Sequence, residues 1–419
     1  MFNEELAVKK LPLNNLKNKT FIILQPNPNS YTHSFFKYPC KFIPEIPRWA
    51  INKFTKNNDV VFDPFAGSGT TLLEAIIHNR QAYGTEIDDV AKLIIKAKSL
   101  KFRKVDYEKL KKLLKKLNEF VLNEKSKKCI PEIHNLNHWF SLKNLNDLGK
   151  IAFFNKNIKN SKQRCFLNIC FISIIKKCSF SDHISPKPYV STRIPKKEYN
   201  VFEEFVKVFN RYLNLLKDFN RVKRNQKIQL LKGDALKFKI IKKISLAVAS
   251  PPYINAFDYV RALRLENLWL GNKKENDLKK DKKKYIGTEQ INIETEQRKL
   301  DILQDSKLLK SCFKEIFKID KKRALVVKKF FEDMKKNLQS VFKRLKFKGH
   351  YVIVIGNSNI RKIVIESWNI LKDIAKKIGF KFDYVFRYAI RNPHIRIPRN
   401  GNGGEIKYDY VLCLKKEKE

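Results

Sequence analysis

The chain has 419 residues, 43% of them hydrophobic, enough to bury a large core in one domain with insertions or in two domains. Lysine and arginine number 88 against 42 aspartates and glutamates, and the resulting +46 favours polyanionic partners, nucleic acid first among them. Seven cysteines without C-x-x-C spacing give no support to a disulfide framework or a cysteine zinc site, and no apolar run approaches the roughly 18–20 residues of a membrane span.

Residues 1–29 read as a leader ending in Gln25-Pro26-Asn27-Pro28-Asn29, rich in breakers. Its acids Glu4 and Glu5 are unlike a signal peptide, so a reduced, cytoplasmic protein is expected. A helix is expected around Pro47, because Ile46, Trp49, Ala50 and Phe54 keep helical spacing and proline suits a first turn. Val60-Val61-Phe62-Asp63 then reads as a short buried strand. It enters Pro64-Phe65-Ala66-Gly67-Ser68-Gly69-Thr70-Thr71, a turn with glycines two apart, and Leu72 begins a helix. Strand, glycine turn and helix let backbone approach a ligand at a helix N-terminus. No lysine follows the glycines as a Walker loop requires, and the third glycine of a dinucleotide fingerprint is missing. Taken alone, the segment reads first as a plain tight turn. The next strand, residues 82–88, ends in acids, and Glu86 stands where a carboxylate can accept both hydroxyls of a ribose. That favours an adenosine ligand.

Residues 89–126 are helical by spacing, with lysines on the outer faces. Pro131 breaks the pattern. His134 and His138 lack cysteine or acidic company, so no metal site is expected. Further helices are expected over 142–175 and 198–219. The polar loop 179–195 between them, with prolines, hydroxyls, Tyr189 and cations, suits nucleic-acid contact as readily as a plain crossover. Residues 228–235 form a strand ending in Gly233-Asp234-Ala235, an acid at the sheet end where parallel strands hold ligands.

Residues 244–249 lead into Ser250-Pro251-Pro252-Tyr253. Two prolines remove two backbone donors and fix φ twice, which leaves the Ser250 and Pro251 carbonyls without local partners. A stiff corner with open acceptors beside an aromatic ring suits a planar base with an exocyclic amino group. A proline-terminated structural turn is the plainer alternative. Beyond it, 265–271 read as a helix closed by glycine, 272–284 as a mobile loop or DNA-facing insertion, and 330–346 as an amphipathic helix. Residues 350–357, 382–390 and 408–414 read as strands, with a helix over 363–378 and a flexible basic loop over 391–404. The sum is a seven-stranded doubly wound α/β sheet with an antiparallel edge hairpin, plus a large helical insertion.

Asp63-Pro64-Phe65-Ala66-Gly67-Ser68-Gly69-Thr70-Thr71 and Ser250-Pro251-Pro252-Tyr253 together resemble the two motifs of the DNA amino-methyltransferases, which use S-adenosylmethionine. Serine before Pro-Pro is similar to the members that methylate cytosine at N4. The resemblance spans most of the seven-strand core, including Gly356-Asn357-Ser358, and implies a class I methyltransferase-like fold. It implies that Asp63, Phe65, Gly67, Gly69, Thr70, Glu86 and Asp234 hold the cofactor, with Glu86 at the ribose and Asp234 at the adenine amino group. Ser250, Pro251, Pro252 and Tyr253 would take a cytosine flipped out of double-stranded DNA. Residues 33–39 resemble the segment that closes over the cofactor's methionine end.

A restriction-modification setting, with a cognate restriction endonuclease as partner, follows from the same resemblance. Adenine at N6 is the nearest rival substrate; a catalytically inactive DNA-binding protein is the rival from another class. Pro39-Cys40 resembles the dipeptide of carbon-5 cytosine methyltransferases but follows no buried strand. Family members often place the base motif before the glycine motif; here the order is reversed. The expected organisation is a catalytic domain split over 1–100, 227–271 and 329–419. A helical insertion, 101–226, is a candidate for target recognition, and a basic insertion, 272–328, for DNA contact.

Overall fold

The computed structural model describes residues 2, 5–24, 29–41, 43–193, 195–222, 224–254, 257–390 and 406–417. The basic loop expected over 391–404 and the breakers at 25–28 lie outside them. Eleven strands are formed among the described residues: β1 (Glu5–Val8), β2 (Thr20–Ile23), β3 (Val60–Asp63), β4 (Gln81–Gly84), β5 (Ile228–Leu230), β6 (Ile244–Ala249), β7 (Leu345–Gly356), β8 (Ser358–Ile360), β9 (Ile363–Ile365), β10 (Phe380–Ala389) and β11 (Tyr408–Lys416). Nine make one sheet in the order β1-β2-β10-β11-β7-β6-β3-β4-β5, and β8 with β9 forms a separate hairpin. Within the large sheet β11 alone runs against its neighbours, pairing antiparallel with both β7 and β10.

The seven strands legible in the sequence are all present, side by side in one doubly wound sheet with helices on both faces, as a class I methyltransferase-like fold requires. Two expectations need correction. The count of seven strands is short, because the breaker-rich leader adds two: β1 and β2 extend the sheet, with β2 pairing Thr20 and Phe21 to Arg387 and Tyr388 of β10. The β10–β11 hairpin is therefore interior, since the outer backbone of β10 finds partners in β2 instead of ending the sheet.

Alternation along each strand divides the core between two faces. Val61, Leu246, Val248, Val352, Val354, Val411 and Cys413 point to one face, where the helices Glu45–Phe54, Thr70–Ile77 and Asp89–Lys98 pack. Val60, Phe62, Ala247, Ala249, Ile353, Ile355, Leu412 and Leu414 point to the other, under the helices Lys307–Ile319, Lys321–Arg344 and Ser367–Ile378.

The insertion 101–226 contributes the helices Lys104–Leu122, Leu136–Trp139, Leu142–Lys156, Ser161–Ile175 and Val201–Arg221. Its Phe166, Phe171, Phe205, Phe209 and Phe219 are buried in the same cluster as Val61 and Leu72, so it continues the catalytic core instead of forming a core of its own. The lysine-rich stretch expected as a loop over 272–284 contains the helix Glu275–Lys282. Leu278 is 4% exposed, Lys273 pairs with Asp281 at 2.7 Å and Lys282 with Asp258 at 2.6 Å. One apolar anchor and two part-buried ion pairs supply the order that composition alone hides.

Candidate active site

Two sharp turns leave neighbouring parallel strands at the same end of the sheet. β3 pairs with β6 through Val61–Leu246 and Phe62–Ala247, so the turn after Asp63 and the corner after Ala249 emerge side by side. Both line one cleft of about 880 Å³, counting its open mouth.

Of the residues expected to hold a cofactor, Phe65, Gly67, Thr70, Glu86 and Asp234 line this cleft. Gly67 and Gly69 adopt φ of +50° and +78°, the left-handed conformation that glycine takes without a Cβ penalty. At Gly69 a Cβ would also stand 2.8 Å from Ile95 Cγ1. Gly69 and Asp63 do not face the cleft. They brace the turn from behind: Asp63, 1% exposed, accepts the Phe65 N–H at 2.9 Å, and burial pushes its carboxyl up to about 7. Lys98, fully buried on the helix Asp89–Lys98, donates to the Ser68 carbonyl at 2.7 Å.

Glu86 lies two residues beyond β4 and accepts three backbone N–H groups: Gly67 at 2.7 Å on Oε2, and Ile87 and Asp88 at 2.7 and 2.8 Å on Oε1. These bonds favour its ionised form, but burial dominates and, with the charge of Asp88 nearby, pushes the carboxyl up to about 7. Asp234 sits exposed in the turn after β5, where its Oδ1 accepts the Leu236 and Lys237 N–H groups at 2.8 and 2.9 Å.

Residues 31–41 form one wall. His33 is buried beneath them and hydrogen-bonds Glu74 at 2.8 Å, while Arg48 holds both oxygens of Glu74 at 2.9 Å. Burial lowers His33 to about 4, so it is neutral at physiological pH. Tyr38, Cys40 and Lys41 face the cleft, whereas His33 does not. The Cys40 thiol is tucked beside Tyr259, although the residue as a whole is exposed; loss of solvent pushes it up to about 11 and keeps it protonated. A protonated thiol is a poor nucleophile.

Several wall residues carry no sequence signal of their own. Lys284, Tyr285 and Ile286 come from the 272–328 segment, and Tyr259 follows the proline corner. Tyr259 stacks between Tyr38, at 6.0 Å and 27°, and Tyr285, at 6.2 Å and 12°. The Tyr285 hydroxyl and the Asn267 amide both donate to Asp88 Oδ2, at 3.2 and 2.9 Å. At the corner itself Ser250 and Pro252 line the cleft and Pro251 is buried. Tyr253 is turned toward β11, where its hydroxyl donates to Asp409.

A family model described as DNA methylase, of the N6/N4 methyltransferase type, matches residues 7–97, which include the glycine turn and Glu86. The chain is similar over 96% of its length to the Type II methyltransferase M.MvaI of Kocuria varians, at 25% identity and covering 94% of that protein. The chain resembles the N6/N4-type DNA methyltransferases, most specifically over the segment that carries the glycine turn. The Type II methyltransferase M.BsoBI of Geobacillus stearothermophilus is 25% identical over 61% of this chain and 55% of its own length. A solved S-adenosylmethionine-dependent methyltransferase from Methanosarcina mazei covers 88% of this chain and 97% of its own, with TM-score 0.31 and 8% identity.

S-adenosylmethionine is the cofactor that the resemblance implies, and the cleft suits that molecule chemically. Glu86 and Asp234 are acceptors for hydroxyl and amino hydrogens, Phe65 and Tyr38 offer apolar walls, and Lys41 offers a cation to a carboxylate. No helix among the described residues is long and apolar enough to cross a membrane.

Proposed function

We propose that this protein is a methyltransferase that modifies the exocyclic N4 of cytosine in double-stranded DNA, as the modification enzyme of a restriction-modification pair. The observation that carries this reading is the pairing of β3 with β6, which sets the glycine turn and Ser250-Pro251-Pro252 on one rim around a shared cleft. Phe65, Gly67, Gly69 and Thr70 shape the methionine end, Glu86 takes the ribose hydroxyls and Asp234 takes the adenine amino group. Bound S-adenosylmethionine supplies an electrophilic methyl carbon.

The remaining chemistry belongs to the corner. The amino lone pair of cytosine is delocalised into the ring and is a weak nucleophile. Ser250 and the Pro251 carbonyl accept the two amino hydrogens and draw the nitrogen toward tetrahedral geometry, which returns the lone pair to nitrogen. Placing that nitrogen in line with the methyl carbon supplies most of the acceleration. The target base leaves the duplex to reach this depth, at a cost of a few kcal/mol that stacking on Tyr253 offsets in part. Segments 101–226 and 272–328 are the candidates for reading DNA sequence, and the second also walls the cofactor cleft through Tyr285.

Serine before Pro-Pro favours cytosine, while the family model covers both base types. Digesting DNA from an expressing host to nucleosides decides between them by mass. N4-methylcytosine supports the proposal; N6-methyladenine without it overturns the cytosine assignment. A host DNA free of both, with S-adenosylmethionine failing to bind in calorimetry, would leave an inactive DNA-binding protein.

A further inference from the structure

Tyr253 is held by a row of residues that no motif announces. Asp409 on β11 is the register partner of Gly356 on β7 and of Tyr388 on β10, so the three lie side by side across the sheet. The Tyr253 hydroxyl donates to Asp409 Oδ1, and the Tyr388 hydroxyl donates to Oδ2 at 2.8 Å. Gly356 leaves room for the ring: a Cβ there would stand 2.9 Å from Tyr253 Cε2. Asp409 is 8% exposed and forms no ion pair among the described residues. A buried carboxylate without a cation is costly, and an apolar side chain would serve a central strand better. Burial pushes its carboxyl up while the two phenols hold it down, and the phenol of Tyr253, itself raised far above its ordinary value by burial, stays a donor.

We propose that Asp409 is a positioning residue for the target base: by tethering the Tyr253 hydroxyl it fixes the plane of that ring beside Ser250-Pro251-Pro252 before DNA arrives. This rests on the reading that Tyr253 stacks on the extruded base. A tethered ring loses its rotamer freedom during folding, so little ordering is left for the binding step. An untethered ring would have to be ordered by the base, and the geometry needed for transfer would be populated less often.

The test compares Asp409→Val, Tyr253→Phe and the double variant in the full chain. Two quantities are read: transfer of labelled methyl into unmethylated genomic DNA, which counts either base, and S-adenosylhomocysteine affinity by calorimetry. Tyr253→Phe keeps the ring and removes only the tether, so it carries the test even where Asp409→Val fails to fold. Each single change is expected to lower kcat/KM for DNA about tenfold, the scale of one lost hydrogen bond to a charged group. Cofactor affinity should stay within about twofold, because neither residue lines the cofactor's part of the cleft. The double variant should be no worse than the weaker single. Wild-type kcat/KM in Tyr253→Phe, even with a lowered melting temperature, overturns the proposal, as do losses that multiply in the double variant. Tyr253→Ala separates the two levels: inactive beside a fully active Tyr253→Phe, it removes the tether alone, whereas a fully active Tyr253→Ala removes the stacking role and the tether with it.

Discussion

Protonating Glu86 should weaken cofactor binding enough to titrate. In the protein alone its carboxyl is pushed up to about 7 by burial, against an ordinary 4.5. The ionised form is therefore disfavoured by about 3 kcal/mol, taking 1.36 kcal/mol per unit. Because the folded value lies above the unfolded one, this penalty is absent below pH 4.5 and grows as pH rises through 7. Ribose hydroxyls donate to a carboxylate, so a bound nucleoside favours ionisation and pulls the group back toward its ordinary value. Affinity should then climb by up to about tenfold per pH unit below 7 and level off above, a rise of about a hundredfold from pH 5 to 8. Calorimetry with S-adenosylhomocysteine, in buffers of different ionisation enthalpy, should find about half a proton released at pH 7. Asp63 has a similar value but does not face the cleft. Glu86→Gln, which keeps an acceptor and removes the charge, should flatten the curve and lower affinity at pH 8 by about ten- to a hundredfold. A flat wild-type curve, or an unchanged curve in Glu86→Gln, refutes the reasoning.

Ser250→Ala should lower turnover while leaving cofactor affinity nearly unchanged, and Gly67→Val should do the reverse; equal loss of cofactor binding in both would contradict their separate roles. Gly69→Ala places a Cβ at φ +78° and 2.8 Å from Ile95, so urea titration should show a loss of about 1–3 kcal/mol. Glu74→Ala strands His33 and Arg48 around a buried site, and melting should report a loss of about 3–5 kcal/mol together with weaker cofactor binding as residues 31–41 come loose. With a net charge of +46, DNA affinity measured by anisotropy should fall steeply and linearly on a log–log salt plot; a shallow slope would mean that few phosphates are contacted.

The sequence carried the central sheet because its strands are short β-branched runs that end in turn chemistry, as at Val60–Asp63 and Ile244–Ala249. It could not carry β1 and β2. Four residues each, they sit among breakers, and it is the pairing of β2 with the open side of β10, and of β1 with β2, that makes them strands. The glycine turn and the proline corner were legible through backbone chemistry, which is local. Tyr259, Tyr285 and Asp409 were not, because their importance comes from what stands opposite them. A tyrosine inside Lys283-Lys284-Tyr285-Ile286 looks like any other until Asp88 and Tyr259 are seen beside it. The tie between Tyr253 and Asp409 spans 156 positions, beyond the reach of any window along the chain.

The long helical segment between the two motifs buries its phenylalanines against the back of the catalytic sheet. A segment built into such a foundation cannot be exchanged like a cartridge, whatever it reads on DNA, since removing it would strip the sheet's own floor. New target preferences in this lineage are then expected to arise by substitutions on outer loops such as 179–195, with the helices beneath kept for the sake of the fold.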